Sequence, residues 1–278
     1  MQTHPFSQVD VFTAIPTHGN ALAVVHDATG LTDAQMATFA RWTNLSETAF
    51  LLPPSNPEAD YRVRIFTPIA ELPFAGHPTL GSCAAWLRAG GKPKIEGSIV
   101  EECGAGLVRL RQGPDGRLAF AAPPLAMSPV EPAKLAEAVA AIGLDAACVR
   151  ASHWLVNGPH WLTLLVDSAE TVLALEPDIS ACAACSDIGV VGPYPEGEFA
   201  FELRAFAAAD GVPEDPVTGS LNAGVAEWLI GTGVAPRAYL ASQGARVGRA
   251  GRVHVEAADG AFWIGGDVVT VVAGSVTL

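Results

Sequence analysis

Arg64-Ile65-Phe66 is followed seven residues later by Pro73, then by a glycine-bearing turn and a helical pattern that carries Trp86 and stops at Gly90-Gly91. The same order returns as Arg204-Ala205-Phe206, Pro213 seven residues on, a second such turn, and a helical pattern that carries Trp228 and stops at Gly231 and Gly233. The offset is 140 residues before the turn and 142 after it. Tyr61 to Phe66 alternates in character, as a half-buried strand does. Pro78 to Leu87 has helical spacing with glycine just past its end. Two origins fit this pattern: tandem duplication of a half-domain, or two unrelated strand–turn–helix units. Duplication predicts two pseudo-symmetric halves whose helix N-termini face one cleft. The free N–H groups and dipole ends of those helices would favour a small carboxylate or phosphate.

Working outward, Val9 to Phe12 and Leu22 to Val25 read as strands interrupted at Pro16 to Asn20. Thr32 to Trp42 has helical spacing, with Thr32 or Asp33 as its cap. Thr48 to Leu52 is extended until Pro53-Pro54 stops it. Proline density at Pro123-Pro124 marks a linker. Beyond it, Ala133 to Ile142 and Ser220 to Leu229 read as helices, and Trp161 to Val166 and Phe199 to Phe206 as strands.

Half of the 278 residues are hydrophobic and 16% are charged, enough for a sizeable core. The balance of 16 Lys+Arg against 29 Asp+Glu gives −13, a field that repels nucleic acid. Met1 to Pro5 has no basic stretch leading into an apolar one, and the apolar runs 161–166 and 268–273 are too short to span a bilayer. No membrane association is expected. The five scattered cysteines, at 83, 103, 148, 182 and 185, suit a reducing cytoplasm. Cys182 and Cys185 form a lone C-x-x-C without a second ligand pair, so they read as small apolar residues on one helix and no metal is expected. The lysines, Lys92, Lys94 and Lys134, lie in Gly/Pro/Ala-rich surroundings, which disfavours Schiff-base chemistry. Gly104-Ala105-Gly106 lacks a third glycine and runs into the alternating Leu107 to Leu110, so no nucleotide cofactor is read.

Four segments carry candidate chemistry: Gly19-Asn20, Asn44 to Phe50 around Glu47, Ala75 to Gly81 around Gly76 and His77, and Glu214 to Ser220 around Asp215 and Gly219. Taken singly, each has a plain structural reading. Glu47 is a carboxylate before an apolar strand, where most such residues face water. His77 between Gly76 and Pro78 can hydrogen-bond a turn, Asp215 before Pro216 is a common turn initiator, and Ser220 is a plausible helix cap.

In this order and spacing, together with Val9-Asp10-Val11-Phe12-Thr13 and Gln243-Gly244-Ala245-Arg246-Val247-Gly248, the segments closely resemble the PhzF family of phenazine-biosynthesis isomerase-like proteins. The resemblance runs essentially end to end. It implies the α+β fold of diaminopimelate epimerase: two pseudo-symmetric half-domains, each a rolled mixed sheet around a central helix, with the site between them. The expected halves are residues 1–122, completed by 263–278, and residues 124–262. It further implies Glu47 as acid/base, and His77, Asp215 and Ser220 as polar partners of the substrate. The amides near Gly76 and Gly219 would cradle a carboxylate, and Asn20 would stand close by. The implied activity is isomerisation, a proton moved between carbons of a small carboxylate-bearing cyclic acid without metal or organic cofactor. A homodimer in the cytoplasm is the implied setting.

Two alternatives stay open. A two-base epimerase on this fold would place one cysteine at each helix start, where this sequence has Ala75-Gly76-His77 and Asp215-Pro216-Val217. A non-catalytic small-molecule binding protein would keep the anion cradle without needing Glu47.

Overall fold

The structure, a computed structural model, describes residues 2–278, which fall into two compact units. The first comprises residues 2–121 with Gly265–Leu278, and the second Ala122–Ile264. No helix among the described residues is long and apolar enough to cross a membrane.

The first unit contains β1 (Thr3–Val11), β2 (Asn20–Val25), α1 (Asp33–Thr43), β3 (Glu47–Leu52), β4 (Tyr61–Phe66), β5 (Glu71–Leu72), α2 (Gly76–Arg88), β6 (Ser98–Cys103), β7 (Gly106–Gln112) and β8 (Leu118–Ala121). The second contains β9 (Ala126–Pro129), α3 (Pro132–Ala141), β10 (Val149–Val156), β11 (His160–Val166), α4 (Ala169–Ala174), α5 (Ile179–Cys185), β12 (Asp187–Pro193), β13 (Phe201–Ala207), β14 (Val212–Asp215), α6 (Gly219–Gly231), β15 (Ala238–Gln243), β16 (Gly251–Ala258) and β17 (Ala261–Gly266). The terminal strand β18 (Val268–Thr277) returns to the first unit, antiparallel to β1.

Strand pairing repeats between the units. In the first, β1–β2 is antiparallel, β2–β3 parallel, β3–β4 antiparallel, β4–β6 parallel and β6–β7 antiparallel. In the second, β10–β11, β11–β12, β12–β13, β13–β15 and β15–β16 follow the same series. Even the flanking strands correspond, with β18 on β1 and β9 on β10, both antiparallel. A matched mixed topology of this length, with the central helix inserted at the same point, is the duplication that the Arg-x-Phe repeat predicts.

Each sheet rolls around one helix. Helix α2 packs against β18, β1, β2, β3 and β4 and also against β8 at the far end of the strand order, so the sheet curls back on it. Helix α6 likewise touches both β10 and β16. The fit is close enough to need glycine: a Cβ at Gly81 would stand 2.6 Å from a Leu22 methyl and 3.0 Å from one of Val11. On the outer faces, α1 covers Val25, Phe50 and Phe66, while α3, α4 and α5 cover Leu162, Leu164, Ile188, Val190 and Phe206. Cys182 and Cys185 do share α5, with Cys182 in that core.

The repeated arginines explain the repeated motif. Arg64 grips Glu71 through Nε and Nη2, at 2.7 and 2.6 Å, and its guanidinium lies 5.1 Å from the Phe66 ring. Arg204 grips Glu214 through the same two nitrogens, at 3.0 and 2.7 Å, and lies 4.9 Å from the Phe206 ring. In each unit this planar, two-bonded fork ties a strand to the segment that leads into the central helix.

Candidate functional site

Strand alternation aims the first cluster. Along β3, Phe50 joins the α1 core and the Thr48 hydroxyl meets that of Thr43, so Glu47, Ala49 and Leu51 take the opposite face, toward α2. Along β2, Leu22 lies against Gly81 of α2, which puts Asn20, two residues earlier, on the same side. Register sets Leu22 opposite Glu47. Asn44, in the left-handed conformation at φ 54°, ends α1 and turns the chain into β3 within two residues.

These elements bring Asn20, Glu47, Gly76 and His77 together. His77, the second residue of α2, is 4% exposed, and its Nδ1 lies 3.2 Å from the Asn20 side-chain nitrogen. His77 Nε2 lies 3.4 Å from Glu47 Oε2, just beyond the usual hydrogen-bond range of about 3.2 Å. Burial pushes His77 down to about 3, with the Ala21 carbonyl opposing the shift in part. The imidazole is therefore neutral across ordinary pH, and its contact with Glu47 is that of a dipole with a carboxyl group. Helix α2 has no side-chain cap at Ala75 and no acidic residue of its own in its first turn.

The second unit carries the other candidates. Asp215 ends β14, and its Oδ2 accepts a 2.6 Å hydrogen bond from the Thr218 hydroxyl. Gly219 and Ser220 open α6, which also lacks a side-chain cap and a first-turn acid. Ser220 does not cap its helix. Its hydroxyl oxygen accepts from the Trp161 indole at 3.1 Å, and its carbonyl accepts from the Asn157 side chain at 2.8 Å. The bond from Trp161 leaves the serine proton to point elsewhere.

Trp161, Asn157 and Thr218 were not among the candidates read from the sequence. Trp161 sits within an apolar strand run, and Asn157-Gly158 reads as ordinary hairpin chemistry between β10 and β11. A tryptophan beginning a buried strand, whose N–H must find an acceptor, is the one signal that pointed here.

No thiol stands at either helix start. Cys83 is fully buried in the middle of α2, and burial pushes its thiol well above the usual range. The described residues contain no group of three or more His, Cys, Asp or Glu that could hold a metal ion.

Comparison with known proteins places this geometry. The chain is 34% identical over 292 residues to antisense-enhancing sequence 1 of Schizosaccharomyces pombe, with 99% of each chain covered. It is 32% identical over 264 residues to the trans-2,3-dihydro-3-hydroxyanthranilate isomerase of Pseudomonas aeruginosa, covering 91% of this chain and 90% of that one. The crystal structure of the PhzF-family phenazine biosynthesis protein of Bacillus anthracis superposes over 100% of both chains at a TM-score of 0.85, with 23% identity. The family model described as phenazine biosynthesis-like protein, PhzC-PhzF, matches residues 9–274, and the chain belongs to that family.

Proposed function

We propose that the chain is a cofactor-independent isomerase that moves a proton between carbons of a small carboxylate-bearing acid, with Glu47 as the group that takes and returns it. The observation that carries the reading is the 3.4 Å approach of a neutral His77 to Glu47. An imidazolium there would hold Glu47 as a strongly stabilised carboxylate and weaken it as a base. A neutral ring orients the carboxyl group and leaves its proton free to come and go. The Asn20 side chain stands against Nδ1 at 3.2 Å, which leaves Nε2 as the ring nitrogen that faces Glu47. Asn20 is thereby assigned the role of orienting His77.

Asp215 and Ser220 are assigned to polar contacts with the substrate, and the first-turn amides at Gly76 and Gly219 to its carboxylate. Two uncapped first turns without acidic residues support that assignment. Family relatives named as isomerases support the reaction class. The name of the Pseudomonas aeruginosa relative makes trans-2,3-dihydro-3-hydroxyanthranilate the first compound to try.

The test is NMR of that compound and a panel of small cyclic amino- and hydroxy-acids with enzyme in D2O. The expected result is solvent deuterium at carbon in at least one compound, lowered by about 10²-fold or more in Glu47→Gln. Binding across the panel with neither an isomerised product nor exchange at any carbon would make the protein a small-molecule binder and end the isomerase reading.

A further inference from the structure

Gln243, the last residue of β15, is 1% exposed, and its side-chain amide makes four hydrogen bonds. Its Oε1 accepts from the Thr218 backbone N–H and from the Asn222 side chain, both at 3.0 Å. Its Nε2 donates to the Asp215 carbonyl at 3.1 Å and to the Thr218 hydroxyl at 2.9 Å. That uses every donor and both acceptor positions of a primary amide. The Thr218 hydroxyl has one proton, and it goes to Asp215 Oδ2 at 2.6 Å. Donation therefore runs one way: Gln243 amide to Thr218 hydroxyl to Asp215 carboxylate.

The backbone around Gln243 grips the same loop. Gly244 has φ +98°, and a Cβ on it would stand 2.6 Å from the Pro216 carbonyl oxygen. A Cβ on Gly251 would stand 2.4 Å from a Val217 methyl and 2.8 Å from the Gln243 carbonyl oxygen. Both glycines are places where residues 243–251 close on residues 215–218. The loop that delivers Asp215 and opens α6 is thus held both by the amide and by close backbone approach.

We infer that Gln243 is a positioning residue: through Thr218 it fixes the carboxylate of Asp215 and the opening turn of α6 for their contact with the substrate. The inference rests on the assignment of Asp215 under the proposed function. An amide suits this place as no other side chain of its length does. Glutamate would fit the space but can only accept. The single proton of Thr218 would then be drawn to residue 243 and away from Asp215, and two carboxylates would share one hydroxyl.

The experiment follows Asp215 directly, by 13C NMR titration of its carboxyl carbon in wild type, Gln243→Glu, Gln243→Leu and Thr218→Val, with thermal melts alongside. Gln243→Glu is expected to raise the Asp215 pKa by about one unit or more through the lost donor and the added charge. Thr218→Val should raise it by less, because only the donor is lost. On a compound that wild type turns over, both should lower kcat about tenfold or more with a smaller change in KM, and the acid limb of the rate profile should move up with the Asp215 pKa in Gln243→Glu. A purely structural amide would lower the melting temperature and leave the Asp215 pKa where it was. An unchanged Asp215 titration in any folded variant overturns the inference, as does failure of all three to fold, which would make the network a folding element. The titration needs no substrate, so wild type that turns over nothing on the panel counts against the proposed function and leaves this result standing.

Discussion

The hydroxyl of Thr79, in the first turn of α2, donates at 2.9 Å to Glu101, a carboxyl group with no exposed surface on β6. Tyr61 donates to its other oxygen at 2.7 Å. Burial raises Glu101 to about 7 despite these two donors, which pull it down. Its folded value lies above its unfolded value near 4.5, so between those limits the folded chain holds the extra proton. The stability this contributes is present at acid pH and lost as pH climbs through about 7.

Glu101→Gln keeps the shape and cannot titrate. Between pH 5 and pH 8 the wild type should therefore lose roughly 3 kcal/mol that the variant keeps. Urea melts at the two pH values measure the difference. Glu202, also raised by burial, contributes in the same direction in both proteins and cancels from the comparison. Equal losses in the two proteins would mean that Glu101 is ionised throughout.

His77 carries the opposite sign. Its value falls from 6.5 to about 3 on folding, so the unfolded chain binds the proton more readily. The stability from keeping it neutral is complete above pH 6.5 and drains away as pH falls toward 3. Wild type should lose stability across that window, and His77→Gln, which has nothing to titrate there, should lose less. The imidazole resonances of His77 should also stay at neutral-ring shifts down to about pH 4. A ring that titrates near 6.5 would remove the basis for a neutral partner to Glu47.

The two arginine forks make a matched pair in different surroundings. Arg204 and Glu214 are 4% and 8% exposed at the side chain, whereas Arg64 and Glu71 are 18% and 42% exposed. Arg204→Ala leaves a buried carboxylate without its guanidinium and frees the Val172 and Leu175 carbonyls that Arg204 also serves. The expected cost is about 3–5 kcal/mol. For Arg64→Ala, where water can take over at Glu71 and at the exposed Asp33, about 1 kcal/mol is expected. Denaturant melts of the two variants check the ratio, and similar costs would mean that burial does not set the worth of the fork.

Much of the architecture was legible because duplication writes the same local chemistry twice. Arg64 and Arg204, Pro73 and Pro213, and the glycines past each helix are short-range signals, and they located the strand–turn–helix unit in both halves. Helix starts were read slightly late, at Pro78 and Ser220 against Gly76 and Gly219, because glycine and histidine weigh against a helix until packing overrides them. Strand β12, read as Asp187–Pro193 in the structure, lies buried and parallel to β11 and shows no alternation to detect. The contacts of Gln243, Trp161 and Asn157 were beyond reach for a similar reason. Each joins segments 20 or more residues apart, and only the roll of the sheet around α6 brings them together.

Replacing Glu47 by aspartate separates the position of its carboxylate from its charge. The Cα of residue 47 is fixed by strand register opposite Leu22, so a side chain one methylene shorter draws its oxygens back by about 1 Å. His77 cannot follow, because its ring is buried on the rigid first turn of α2 and held at Nδ1 by Asn20. The 3.4 Å contact would widen further, and the proton would have farther to travel to the substrate carbon. Glu47→Asp should then lose about 10²-fold in kcat, with KM nearly unchanged, since the carboxylate cradle is untouched. Steady-state rates on whichever panel compound exchanges its carbon-bound proton provide the measurement. A Glu47→Asp enzyme running near the wild-type rate would mean that the reach of the carboxylate at this place does not limit proton transfer.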